Sequence, residues 1–458
     1  MSGPEQMTLA WVAEVLGLPQ ADPSAVVESV VIDSRKVVPG ALFVALAGAR
    51  TDGHAFVEVA AQAGAVAALV ERRQPTDLPQ LVVADVRRAL AVLATAWRAR
   101  FTCPVIALTG SNGKTTTKEL LAAILARKGP VLATEGNLNN DLGVPLTLLR
   151  LRRRHQFAVI EQGANHVGEI AELTTISRPD IALITNAGPA HLEGFGSLEG
   201  VARGKGEIYA GLGPNGVAVI NADDRFATYW REVAAPRRVV ACTLESIDAE
   251  LRGSWCAHGE GGRVDMTTPV GRVTVDIALQ GRHNGMNALL ASACAWVAGA
   301  DLHEIHDGLA NVQPVGGRLN RQRGPHGCSI IDDTYNANPA SMGAALALLA
   351  ERPGRRIAAL GDMGELGAEA EVLHRELGRR ARALGIDALY ACGPLSRATV
   401  EGFGEQGFHF DDHAALAAAL RAQLAADVTV LAKGSRSAGM ERVVALLQAE
   451  EEVPCSTC

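Results

Sequence analysis

The run Val105-Ile-Ala-Leu-Thr-Gly-Ser-Asn-Gly-Lys-Thr-Thr-Thr117 constrains this chain more than any other segment. Apolar residues of strand length, Val105 to Leu108, lead into a glycine-bearing turn, and a helical pattern follows from about Thr115 to Arg127. A buried strand, glycines that let backbone N–H groups face inward, and a helix N-terminus together cradle phosphate oxygens. The predicted ATP contacts are therefore Gly110, Ser111, Asn112, Gly113, Lys114, Thr115 and Thr116. Lys114 is expected to neutralise the β- and γ-phosphates, and the Thr115 hydroxyl to hold Mg²⁺. The full motif would start with a glycine five residues before Gly113, where Leu108 stands, so the loop is the shortened T-G-x-x-G-K-T. An ordinary strand-to-helix turn is the competing reading, and the spacing of Gly, Gly, Lys and Thr argues against it.

Strand and helix patterns alternate on both sides of this loop, which predicts parallel α/β layers. Strands are expected at 157–161, 181–185 and 217–221. Residues 237–282 break the pattern with alternating segments such as 272–277, read as a hairpin insertion or a small extra sheet. Before the loop, strands at 30–32, 42–46 and 81–83 accompany helical stretches at 55–69 and 86–100. After Gly316-Gly317-Arg318, strands at 329–331, 357–360, 388–391 and 428–431 alternate with Ala-rich helices at about 340–350, 366–384 and 413–425. The expected fold class is α/β in three domains: 1–100, a central P-loop-type parallel sheet over 101–315, and a Rossmann-like domain over 316–458.

Composition narrows the functional classes. The 43 basic and 50 acidic residues give a net charge of −7 without a basic tail, which argues against a nucleic-acid partner. The densest basic cluster, Arg152-Arg153-Arg154, is short and reads as a solvated turn. The first 18 residues lack a basic n-region, and no apolar stretch reaches the length of a membrane span, so the expected location is the cytoplasm. Eight cysteines, mostly isolated, read as reduced and buried thiols. Cys455-Ser-Thr-Cys458 offers two thiolates at the chain end, too few for a zinc site, and is expected to be a disordered tail.

Several residues outside the loop carry chemistry. Glu161 ends one predicted strand and His191 follows another, and in a parallel sheet such ends gather beside the phosphate loop. A carboxylate and an imidazole there can share a Mg²⁺ ion, although each alone is as easily structural. The amide-rich run with Asn137, Asn139 and Asn140 is either a turn cluster or a polar cradle for a sugar-peptide substrate. Lys205 alone reads as a surface lysine.

Together these segments resemble the Mur ligases over nearly the whole chain. The markers are Ser34-Arg-Lys-Val-Val-Pro-Gly40 with Asp52-Gly-His54, the T-G-S-N-G-K-T-T-T loop, Glu161-Gln-Gly-Ala-Asn-His166 and Asn186-Ala-Gly-Pro-Ala-His191. Lys205-Gly-Glu-Ile208, Gly281-Arg-His-Asn284, Gly317-Arg-Leu319, Asp332-Asp-Thr-Tyr-Asn-Ala-Asn-Pro339, Leu360-Gly-Asp-Met-Gly-Glu-Leu366 and Lys433-Gly-Ser-Arg436 follow. The Y-N-A-N-P and L-G-D-M pieces are most similar to the member that joins D-alanyl-D-alanine to UDP-N-acetylmuramoyl-tripeptide. The shortened loop is normal in that family.

The resemblance implies an ATP- and Mg²⁺-dependent ligase that works through an acyl phosphate, as a monomer. It places Ser34 and Arg35 near the UDP group, Asn284 on adenine and Arg318 at the phosphates. It places Asp333 and Tyr335 on the nucleotide, Asn336 and Asn338 at the dipeptide, and Lys433 and Arg436 on the substrates. Lys114, Lys205, His191 and Arg318 are the implied catalytic residues. Thr115, Glu161, His191 and Lys205, the last as a carbamate, are the implied metal ligands. Folylpolyglutamate synthases and the muramoyl ligase that adds the third amino acid share the architecture and are rival readings. A nucleotide-binding regulator without turnover is another, against which Lys114, Glu161, His191 and Lys205 all stand intact.

Overall fold

A parallel strand covered on both faces shows no polar side, and Val105–Thr109 is buried at every residue. In the computed structural model, which describes residues 6–448 apart from 20, 23, 49–50, 246–247 and 314–315, this strand lies inside a nine-stranded sheet. The strand order is 271–277, 261–268, 251–258, 238–243, 217–221, 181–184, 105–109, 157–161, 131–133. Val105–Thr109 pairs in parallel with Ile181–Ile184 on one side and Phe157–Glu161 on the other. Its alternate residues serve two cores. Ile106 and Leu108 pack with Leu120 of Lys114–Lys128 and Leu290 of Arg282–Val297. Val105 and Ala107 pack with Leu173 of Glu169–Ser177 and Ile208 of Leu198–Ala210. Because the three strands are parallel, their C-terminal ends open on one edge, with the phosphate loop among them.

Residues 237–282 form neither an inserted hairpin nor a separate sheet. Arg238–Thr243 is a further parallel strand, and Leu251–His258, Gly261–Thr268 and Gly271–Ile277 extend the same sheet. Val264 and Met266 pack with the helix Arg282–Val297, and Gly271–Ile277 lies against the helix Leu302–Ala310, so one continuous core draws the ladder onward. Strand Leu251–His258 exposes Cys256, contrary to the expected burial, whereas Cys242, Cys294, Cys328 and Cys392 are buried. The Cys455 and Cys458 pair lies outside the described residues.

The N-terminal sheet has four parallel strands, Ser29–Val31, Ala41–Val44, Ala67–Val70 and Gln80–Val82. The helical stretch expected over 55–69 is divided: a 3-10 turn, the short helix Val57–Gln62, and then the strand Ala67–Val70. Ala67–Val70 is buried throughout, and a short apolar run buried on both faces has no period to separate strand from helix. Helix Val86–Arg98 joins this domain to the central one. Its terminal Arg98 is buried and donates to the carbonyls of Ser177 (3.2 Å) and Phe101 (2.7 Å) and to Asp180 (3.1 Å). Arg98→Ala should lower stability by about 2–3 kcal/mol, since charged hydrogen bonds contribute most when desolvated partners are left behind. Thermal unfolding checks this, and an unchanged midpoint would refute it.

In the C-terminal domain the parallel strands run in the order 329–333, 428–433, 355–361, 388–392, 407–410, with Asn320–Arg323 antiparallel at one edge. Separate cores on its two faces make it a doubly wound, Rossmann-like sheet. Among the described residues no helix is long and apolar enough to cross a membrane.

Candidate active site

One large cavity lies where the central and C-terminal sheets present their strand ends. The phosphate loop forms its floor. Gly113 has φ +79° and starts the helix Lys114–Lys128, a left-handed conformation that other residues resist. At Gly110 a Cβ would fall 1.8 Å from Thr185 Oγ1. The loop tip is braced from the neighbouring strand end: Asn112 N–H donates to Asn186 Oδ1 (3.0 Å), and the Asn112 carbonyl accepts from Thr185 Oγ1 (2.6 Å) and Asn186 Nδ2 (3.1 Å). Lys114 Nζ folds back on the Gly110 carbonyl at 2.7 Å. Burial pushes its pKa down, Glu161 opposes this, and Arg318 adds to it.

The predicted metal-binding residues gather at the same edge. Glu161 is buried; its Oε1 accepts from Asn139 Nδ2 at 2.8 Å, while Oε2 is buried without a hydrogen-bond partner among the described residues. His191 lines the cavity with φ +53° and forms an ion pair with Glu365 of the C-terminal domain. Burial lowers its pKa, and Glu365 works against that shift. Lys205 is not the surface lysine its local sequence implies. It lies on helix Leu198–Ala210, is 1% exposed, and has its Nζ 5.5 Å from the Phe195 ring centre. Among the described residues it has no hydrogen bond or ion pair, and burial, helped by the Lys114 charge, pushes its pKa well down.

The far wall comes from the C-terminal domain and the hinge. Arg318 Nη2 donates to Thr115 Oγ1 at 2.9 Å, and its guanidinium lies 4.2 Å from the Tyr335 ring centre. Asp333 accepts from the Leu319 N–H at 3.2 Å and pairs with Lys433 at 2.6 Å. Lys433 Nζ also donates to the Asn336 carbonyl at 2.9 Å, so its ammonium holds the 333–338 turn together. Asn338 Nδ2 donates to Asn112 Oδ1 at 2.8 Å. Asn284 faces the cavity with its amide engaged by the Gln280 carbonyl (2.8 Å) and Asn287 (3.0 Å).

Of the predicted residues, Ser111 to Thr116, Asn137, Asn139, Asn140, Glu161, His191, Asn284, Arg318, Asp333, Tyr335, Asn336, Asn338 and Lys433 line this one cavity. Gly110 and Lys205 sit behind its wall. Ser34, Arg35 and Arg436 do not line it; Ser34 and Arg35 belong to a 3-10 turn of the N-terminal domain, where Arg35 pairs with Asp33 at 2.9 Å. Sequence reasoning assigned no role to Asn186, which braces the loop, or to Glu365, which pairs with His191. Both sit in segments already singled out, between residues that had been given roles.

Three family models match successive parts of the chain: the Mur ligase family catalytic domain over residues 26–103, the Mur ligase middle domain over 108–295, and the Mur ligase glutamate ligase domain over 317–436. The UDP-N-acetylmuramoyl-tripeptide–D-alanyl-D-alanine ligase of Escherichia coli (strain K12) is 45% identical over 447 residues, which cover 96% of this chain and 98% of that one. The chain belongs to the Mur ligase family.

Solved structures agree with this Mur ligase in fold along its length. A crystal structure of MurF from Acinetobacter baumannii superposes with a TM-score of 0.90 at 38% identity, covering 97% of this chain and 99% of that one. MurF from Thermotoga maritima in complex with ADP gives a TM-score of 0.82 at 30% identity, with 92% and 97% covered.

Proposed function

We propose that this Mur ligase is an ATP-dependent amide ligase that joins D-alanyl-D-alanine to UDP-N-acetylmuramoyl-tripeptide, releasing ADP and phosphate in peptidoglycan precursor synthesis. The observation that carries the reading is the meeting of the phosphate loop with Arg318, Tyr335 and Asn336 around one cavity. The relatives named above, which act on this tripeptide and dipeptide, support the choice of substrates.

The chemistry asks for such an enclosure. A peptide carboxylate is a poor electrophile, and its oxygen must first take the terminal phosphoryl group of ATP, with ADP leaving. Negative charge spreads over the phosphoryl oxygens in that step, so positioning and electrostatic neutralisation do most of the work. Lys114, the loop N–H groups and Arg318 lie where they can do this. The dipeptide amine then attacks the acyl carbon, the nitrogen loses a proton, and the tetrahedral centre collapses with loss of phosphate. Water would intercept the acyl phosphate, which is why the C-terminal domain must close over it.

The donor set fits Mg²⁺, which prefers oxygen ligands. Glu161 Oε2 is a buried carboxylate oxygen without a partner among the described residues, and Thr115 and His191 line the same cavity. Lys205 completes the set as a carbamate: an uncharged amine takes up CO₂, its proton leaves, and a carboxylate on a long stem results. Among the described residues, the Phe195 ring is the one partner of that buried ammonium. A cation–π contact is worth about 0.5–2 kcal/mol, less than the cost of burying a charge. Mg²⁺ held there would neutralise the phosphoryl oxygens.

In this reading Asn139 and Asn140 cradle the muramoyl peptide, Ser34 and Arg35 hold the UDP group, and Asn336 meets the dipeptide. Arg436 meets the substrates from the C-terminal domain. The enzyme acts as a monomer in the cytoplasm, with no nucleic-acid or membrane partner.

Phosphate release should require both substrates. Tested with tripeptides carrying lysine or meso-diaminopimelate, ADP and phosphate should form only when D-alanyl-D-alanine is also present. Equal turnover with free glutamate in place of the dipeptide would point to the folylpolyglutamate-synthase reading.

A further inference from the structure

We infer that Asn338 is a positioning residue that ties closure of the C-terminal domain to the phosphate loop, through its side-chain hydrogen bond to Asn112. The inference rests on the ligase reading and adds a residue whose task is to hold the closed arrangement rather than to grip the dipeptide.

Both ends of the Asn338 amide are in use. Its Oδ1 accepts from the Ser341 N–H at 2.9 Å and so caps the helix Pro339–Ala350, while the Ser341 hydroxyl accepts from the Asn338 N–H at 3.0 Å. Its Nδ2 crosses the domain boundary to Asn112 Oδ1 at 2.8 Å. Asn338 is 8% exposed and stands with Asn112 in the cavity wall, so the contact is partly screened from water.

The partner is equally specific. The Asn112 backbone is fixed to the central domain by Thr185 and Asn186 on the adjacent strand end. Its side-chain oxygen is therefore a rigid acceptor, and it reports whether the C-terminal domain has arrived. Residue choice supports the same role. Serine, aspartate and asparagine cap a helix about equally well. Asparagine differs in carrying an amide donor beyond the capping oxygen, long enough to bridge to Asn112. Capping alone does not call for that donor.

The functional consequence follows from population. Loss of one neutral hydrogen bond shifts an equilibrium by roughly 3–10-fold. If the bond forms only on closure, that shift falls on the fraction of enzyme able to react, and apparent turnover falls with it.

Asn338→Ser keeps a cap and removes the reach; Asn338→Ala removes both. Each is compared with wild type in melting temperature, in steady-state kinetics, and in small-angle scattering with and without saturating MgAMPPNP. For Asn338→Ser the expected result is an unchanged melting temperature, a kcat lower by roughly 3–10-fold, a dipeptide KM within about two-fold of wild type, and weaker nucleotide-induced compaction. Asn338→Ala should show the same kinetic loss and also melt about 2–4 °C lower. Wild-type kcat and compaction in Asn338→Ser would overturn the inference and leave Asn338 a helix cap. A dipeptide KM raised more than about ten-fold with kcat kept would overturn it in favour of direct substrate binding. Should serine itself lower the melting temperature, Asn338→Asp, which caps but cannot donate, is read by the same criteria. A wild-type enzyme without dipeptide-dependent phosphate release counts against the ligase reading instead, while compaction still tests the bond.

Discussion

Lys114→Ala should lower kcat by roughly 10²–10³-fold, equivalent to about 3–4 kcal/mol of lost electrostatic stabilisation. The lysine contributes little to the core: among the described residues its side chain makes one hydrogen bond, to the Gly110 carbonyl of its own loop. The fold should therefore survive, with circular dichroism and melting temperature close to wild type. Its ammonium stands in the wall of a partly enclosed cavity, where charge acts on a phosphoryl group more strongly than in open water. Single-turnover measurement of phosphate release separates the chemical step from nucleotide binding. A Lys114→Ala enzyme with near-normal single-turnover rates would mean that the phosphoryl group is transferred elsewhere.

Lys205→Ala should be nearly inactive and should recover in part with acetate or formate. The alanine leaves a space where a small carboxylate can supply the missing oxygen ligand. Lys205→Arg should be inactive and not rescued, because guanidinium stays charged and cannot form a carbamate. The two variants separate a carbamate from a phosphate-contacting cation, which arginine would replace in part. Retained activity in Lys205→Arg refutes the carbamate, as does failed rescue of Lys205→Ala with MgATP binding intact. Burial and the charge of Lys114 both favour the neutral amine, the form that reacts with CO₂.

These two lysines differ in how far local sequence reveals them. Lys114 is legible because strand, turn and helix are contiguous and the phosphate cradle is built from backbone within a few residues. Lys205 stands in a helix segment whose sequence looks solvent-facing, and its burial comes from packing against Phe195 and the central sheet. The strand Ala67–Val70 shows the same limit in the fold: four apolar residues in sequence do not say which layers will cover them. Of the three strands ending at Ile277, the alternation of 272–277 was legible, but the attachment of all three to the central sheet depended on a core shared with Arg282–Val297.

The α/β class, the phosphate loop with its lysine and threonine, and, through resemblance, the family are all legible in the linear order of residues. Each rests on contiguous residues or on spaced motifs that need no knowledge of distant packing. Which distant groups meet follows from tertiary packing: Arg318 with Thr115 across 203 residues, and Asn338 with Asn112 across 226. It also decided that Lys433 braces Asp333 and that His191 pairs with Glu365. Hydrogen bonds and ion pairs act over a few ångströms, whereas their partners here are set by how three separately packed sheets dock, and no local pattern encodes that docking.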